Sequence, residues 1–294
     1  MMAKHTRSQQ GFALASLAAV LWSLMGIFGK VLFAYQTAPL TVVTLRATLV
    51  FVTVVSTLVL FRREWLRIAR KDWLFFAAYG LIGVAGGFFL YFTAIDLAGV
   101  AIAAILLYTY PAFVTILSAI FLHERFTVAK GVALVLVLIG AALVSEIGAS
   151  LSAGVDLRGV GIALLSAVAV ASHSVFGKKA VQRYNSWTIL LYSMGFGALF
   201  LIVAQFLFLG VPNLVRPPAF WGLLIALAWI STLGANLAYI SALARIEASQ
   251  ASITASIEPV IVVLLAYPFF GETLSLVQIS GMVLVMVGVF VVQR

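Results

Sequence analysis

The chain has 294 residues, of which 64% are apolar and only 9% charged, and its mean hydropathy is +1.18. Soluble domains are about half apolar and about a quarter charged, so this composition excludes a water-soluble globule and points to lipid as the solvent. The net charge of +9 sits in short connectors between apolar runs, which is how cytoplasmic membrane loops look and argues against a nucleic-acid partner.

In chain order, ten runs are long and apolar enough to be membrane spans: near 11–33, 38–61, 73–94, 99–122, 128–146, 158–178, 187–210, 219–243, 248–270 and 275–293. The first follows Lys4 and Arg7, but it is longer than the ~7–15 residues of a signal-peptide core and is expected to be a retained helix. Alternate connectors carry 14 of the 18 Lys and Arg residues, among them Arg62, Arg63, Arg67, Arg70 and Lys71. The opposite set carries only Arg158 and Arg216, and Lys30 and Arg46 lie in or beside the first two spans. This asymmetry predicts a multi-pass membrane protein with both termini cytoplasmic.

An internal repeat organises the runs. Shifted by 148 positions, Gly11 falls on Gly159, Phe28-Gly29-Lys30 on Phe176-Gly177-Lys178, Trp73 on Trp221, and Tyr91 on Tyr239. Pro111 falls on Pro259, Glu124 on Glu272 and Gly140 on Gly288. The halves are therefore expected at 1–147 and 148–294, and an odd span count in each predicts that the second is inverted in the membrane. Inverted repeats are a recurring plan of secondary transporters, with the binding site between the halves near the midplane.

Several short motifs recur in order: Trp22-Ser23, Phe28-Gly29-Lys30, Pro39, Arg46, Tyr110-Pro111 and His123-Glu124-Arg125, then Glu258-Pro259, Gly271-Glu272-Thr273 and Gly281 to Gly288. Across the whole chain this resembles the EamA-type branch of the drug/metabolite transporter superfamily, and within it the bacterial aromatic amino-acid exporters. The resemblance implies ten helices as two inverted five-helix repeats, a central cavity, and export of small metabolites. The second half departs from the first where Met194 stands at the Arg46 position and Trp187 at the Pro39 position.

Polar residues inside the spans are the candidate site, because burying them in lipid is costly. Glu258 is placed to bind a substrate ammonium or carry a proton, with a position at a helix end near water as the alternative. Ser249, Ser252 and Ser256 share one face of the ninth run, which suits a cavity wall or a tight seam equally. Tyr108 lies on the matching face of the fourth. His173 sits mid-span, where a structural hydrogen-bonding role competes with a functional one. Tyr79 and Asn236 are candidate side walls for an amino-acid cargo, and Trp22 shares that role with an interface alternative. Tyr91 and Tyr239 project from the same helices as further candidate side walls, with an interface-belt alternative that applies best to these two because they lie near helix ends. Gly83, Gly87 and Gly234 allow close helix approach, and Pro111 and Pro259 free carbonyls one turn back, so these five are expected gating or hinge points. Arg46 and Lys30 are expected to snorkel or to pair with helix ends, with a substrate carboxylate as the sharper option.

No cysteine, no metal-ligand spacing and no phosphate-binding loop occur in the sequence, so neither metal nor cofactor is expected and the protein is not read as an enzyme. The expected partners are the bilayer and an amino acid or similar metabolite, with the chain a monomer or weak homodimer. Other cargo classes (nucleosides, sugars, cationic drugs) remain the alternative, ahead of a channel or an integral-membrane enzyme.

Overall fold

The computed structural model describes residues 2–145, 156–270 and 274–293. Among them every regular element is helical. The Gly271-Glu272-Thr273 motif, and with it the partner expected for Glu124, lies outside the described residues.

The helices are α1 (Met2–Phe33), α2 (Pro39–Phe61), α3 (Arg70–Ala98), α4 (Val100–Leu107), α5 (Tyr110–Leu122), α6 (Val128–Val144), α7 (Leu157–Ala180), α8 (Ser186–Phe208), α9 (Pro218–Leu243), α10 (Ala248–Ala255), α11 (Glu258–Phe270) and α12 (Leu276–Gln293). Taking α4 with α5 and α10 with α11, nine helical stretches are long and apolar enough to span a bilayer among the described residues, and α6, the run expected near 128–146, has 17 residues. The chain therefore builds a multi-pass helical bundle.

Two runs read from hydropathy as single spans are interrupted. The fourth breaks at Tyr108-Thr109 between α4 and α5, and the ninth at Ser256-Ile257 between α10 and α11. Proline explains both sites. Pro111 occupies the first turn of α5, where its missing N–H costs nothing, and Pro259 follows Glu258 at the start of α11. The third and eighth runs each contain a wide π-helical stretch, Tyr79–Gly86 in α3 and Leu227–Gly234 in α9. The same element boundaries recur 148 residues apart: Val100–Leu107 with Ala248–Ala255, Tyr110–Leu122 with Glu258–Phe270, and Tyr79–Gly86 with Leu227–Gly234.

Glycine sets the closest seam. A Cβ on Gly140 of α6 would lie 2.7 Å from the Gly281 carbonyl oxygen of α12, and one on Gly288 would lie 2.9 Å from the Ala133 carbonyl oxygen. These reciprocal contacts, with rising numbers on one helix meeting falling numbers on the other, make α6 and α12 an antiparallel pair at backbone contact. A second reciprocal set joins Gly159 to Ala98 and Gly11 to Ile246, each with its Cβ position 2.6 Å from the partner's side chain.

Candidate functional site

The crossing of α1, α3, α7 and α9 holds a polar-aromatic centre. Trp22 packs on Tyr239 with ring centroids 5.0 Å apart. The Tyr239 hydroxyl shares a 2.7 Å hydrogen bond with the Ser174 hydroxyl. His173 stands between Tyr79, edge-on at 5.2 Å, and Tyr239, stacked at 6.3 Å. Tyr79 in turn stacks on Phe176 at 5.3 Å. The Tyr79 hydroxyl and the His173 Nε2 are buried without a hydrogen-bond partner. Unsatisfied buried polar atoms are rare in native proteins and mark places where a ligand or water completes the network. Asn236 lies within side-chain hydrogen-bonding reach of His173 and donates to the Thr232 carbonyl at 2.8 Å.

A second group lies at the helix breaks. The Glu258 carboxylate is within electrostatic reach of Tyr91, Tyr108 and Tyr110. It has neither a hydrogen bond nor a cationic partner among the described residues. Tyr110 belongs to the same buried cluster as Tyr239, with Trp22 packed against it, and so joins the two groups. Its hydroxyl donates to the Ser252 carbonyl at 3.3 Å.

The structure thus brings Trp22, Tyr79, His173 and Asn236 together, and sets Tyr108 and Glu258 beside them through Tyr110. Ser252 and Ser256 are placed differently. They are buried, and their hydroxyls donate to the carbonyls of Ser249 and Ser252 at 3.0 Å each, so both are satisfied within α10 and its C-terminal cap. Gly83 and Gly87 bring α3 onto α7, with Cβ positions 3.2 Å from the His173 backbone and 3.0 Å from the Val170 side chain. Gly234 borders Leu21 of α1 at 3.5 Å.

Of the two readings of Tyr239 the interface one fails: at 1% exposed it lies inside the bundle, because α9 buries this face against α1 and α7. Tyr110 and Ser174 join the site beyond the residues that polarity within the spans marks. Ser174 adjoins His173, and Tyr110 is the counterpart of Glu258 at the 148-residue offset; those are the two signals that point to them.

One end of the bundle is closed by charge. Glu124 accepts the Ala248 and Ser249 backbone N–H groups at 2.6 and 3.2 Å and the Ser249 hydroxyl at 2.5 Å, capping α10. Lys130 Nζ lies 2.6 Å from Glu247 and 3.8 Å from Glu124. Lys178 Nζ donates to the Leu243 and Ile246 carbonyls at 2.7 and 2.6 Å. Ala248 is accordingly 0% exposed, whereas Val100, its counterpart at the start of α4, is 64% exposed. Two surface grooves, one between α11 and α12 and one beside Arg7 and Arg245, touch none of the polar centre. Among the described residues no group of three or more His, Asp or Glu side chains is arranged to hold a metal ion.

Comparison with known proteins agrees with this arrangement. The EamA-like transporter family matches residues 9–146 and again 157–294. An uncharacterized transporter of Archaeoglobus fulgidus is 29% identical over 228 residues, covering 78% of this chain and 80% of that protein. The pseudopaline exporter CntI of Pseudomonas aeruginosa is 29% identical over 214 residues, covering 72% and 73%. A protein crystal structure superposes with a TM-score of 0.81 at 20% identity over 96% of both chains, a likeness of fold. With the family matched twice over nearly its full length, the chain belongs to the EamA-like transporter family.

Proposed function

We propose that the protein is a secondary carrier that exports small metabolites, aromatic and neutral amino acids first among them, by alternating access between two inverted five-helix repeats, 1–147 and 148–294. The observation that carries this reading is the Glu258 carboxylate. It sits at a helix break with no hydrogen-bond or cationic partner among the described residues, beside tyrosines and next to the Trp22–Tyr239–His173 centre. An isolated carboxylate in low dielectric favours a cationic group, and an aromatic wall favours a flat apolar one. A solute with both an ammonium and an aromatic body meets both. Discontinuous helices at a midplane site are a recurring feature of such carriers.

Inversion is supported by the antiparallel, reciprocal contacts of Gly140 with Gly281 and Gly288 with Ala133, which are what a two-fold axis between the halves produces. The direction of transport is supported by a relative named as an exporter. Lys and Arg distribution supports a cytoplasmic position for the end held by Glu124 and Lys130, and the bonds that tie that end favour a conformation closed on the cytoplasmic side. Trp22, Tyr79, Tyr108, His173, Asn236 and Glu258 contact the solute, Ser252 and Ser256 support them, and the breaks at Pro111 and Pro259 with the seams at Gly83, Gly87 and Gly234 move.

The test is efflux from liposomes containing the purified protein and loaded with amino acids, sugars, nucleosides and cationic drugs. Saturable efflux of aromatic or neutral amino acids, lost in Glu258→Gln while the variant remains monodisperse, supports the carrier. Unsaturable flux, or unchanged efflux in Glu258→Gln, overturns it.

A further inference from the structure

Arg46 lies seven residues beyond Pro39 in α2, and its side chain is only 3% exposed, so its charge does not reach the headgroups as a snorkelling arginine's does. The guanidinium carbon lies 4.5 Å from the ring centroid of Phe88 on α3. Its Nη1 donates to the Met25 sulfur of α1 at 3.0 Å, and its buried Nε has no hydrogen-bond partner. No acidic side chain pairs with it among the described residues. A buried guanidinium held by an aromatic face and a thioether is costly unless something else completes it.

Its position says what that is. Met25 lies one turn beyond Trp22 on α1, and Phe88 packs against Val43 and Ala47 of α2 and Ala198 and Leu201 of α8, so the guanidinium is enclosed between α1, α2 and α3 one helical turn from Trp22. The 148-residue offset puts Met194 at the Arg46 position, His173 at the Met25 position and Asn236 at the Phe88 position. The positive charge is therefore single and unpaired by symmetry, which suits one monoanionic group. A phosphate dianion would call for further cations.

We propose that Arg46, backed by Met25 and Phe88, is the subsite for a carboxylate on the transported solute, opposite in charge to the Glu258 subsite. This rests on the carrier reading above and adds a carboxylate to the cargo. The guanidinium presents two parallel N–H donors to the carboxylate oxygens once the solute displaces the sulfur contact. The cargo class is then an amphipathic amino acid recognised at both charged ends.

The test uses proteoliposomes with wild type, Arg46→Met and Arg46→Lys, and three solutes: an aromatic amino acid, its methyl ester, and the corresponding deaminated acid. Arg46→Met copies the residue of the second half at nearly equal volume, so it keeps the packing. Wild type is expected to move the amino acid saturably. Arg46→Met is expected to lose roughly tenfold or more in its half-saturation for the amino acid while leaving the ester unchanged, and Arg46→Lys to fall between. Equal behaviour of wild type and Arg46→Met toward the amino acid overturns the subsite, as does equal loss of amino acid and ester. Failure of wild type to move any carboxylate-bearing solute also overturns it. Saturable movement of the deaminated acid alone, sensitive to Arg46→Met, supports the subsite and overturns the amino-acid reading, so the two are separable.

Discussion

The Glu124 carboxylate at the end of α5 accepts the backbone N–H of Ala248, 124 residues away, at 2.6 Å. A half-helix has the same unsatisfied N–H groups as a full one, and a carboxylate at its N-terminus satisfies them and favours the helix dipole. One side chain of the first half thereby holds the broken helix of the second. Glu124→Gln removes the charge and one acceptor, and is expected to weaken the closed end by about 1–3 kcal/mol. Hydrogen exchange at the Ala248 and Ser249 amides should quicken while the α6–α12 pair stays protected. Unchanged exchange there would show that the cap does not hold this end.

Lys178 secures the same end from α7 through the Leu243 and Ile246 carbonyls. A lysine donating to two carbonyls past a helix C-terminus satisfies acceptors that otherwise lack partners. Lys178→Met is expected to lower the melting temperature, with faster exchange over 243–247 as the checking signal. A variant as stable as wild type would mean that water replaces the ammonium at no cost.

Gly140 and Gly281 meet at backbone distance, with each missing side chain replaced by the other's carbonyl. Gly140→Leu forces α6 from α12, at an expected cost of about 1–3 kcal/mol. Thermal unfolding in detergent measures it. Because the contact recurs at Gly288 and Ala133, Gly288→Leu should cost a similar amount, and a large difference between the two would argue against reciprocal packing.

Tyr239→Phe removes the hydroxyl that bonds Ser174 at 2.7 Å while keeping the ring against Trp22. The expected loss of stability is about 1 kcal/mol, with solute half-saturation shifted more than maximal flux. A melting temperature equal to wild type would show that the bond carries no net stability.

Much of the fold was legible because the signals that mark it are coarse ones. Lipid demands long apolar runs, and matched Trp, Tyr, Pro and Lys at one offset do not arise by chance in such a sequence. Burial was not legible. Lipid-facing and interior positions are both apolar, so Leu74 at 80% exposed and Leu224 at 0% carry the same residue. The side-wall and interface readings of Tyr239 stay undecided in the sequence for that reason: its depth follows from how α9 packs, which periodicity does not encode. The helix breaks at Tyr108-Thr109 and Ser256-Ile257 were hidden inside continuous hydropathy, with only Pro111 and Pro259 as local signs. Glu124 was visible as half of a repeated pair, but its bond to Ala248 depends on two distant segments meeting.

The central claim is that the two ends open in turn. The sequence has no cysteine, so a single introduced thiol reports alone. Val100→Cys and Ala248→Cys occupy counterpart positions at the two ends, 64% and 0% exposed in the native side chains. Maleimide labelling of each, in wild type and in Glu124→Gln, is the direct measurement. Alternating access predicts fast labelling at 100 and slow labelling at 248, with Glu124→Gln reversing the order. Rates that rise together at both positions, or that do not respond to Glu124→Gln, would contradict it.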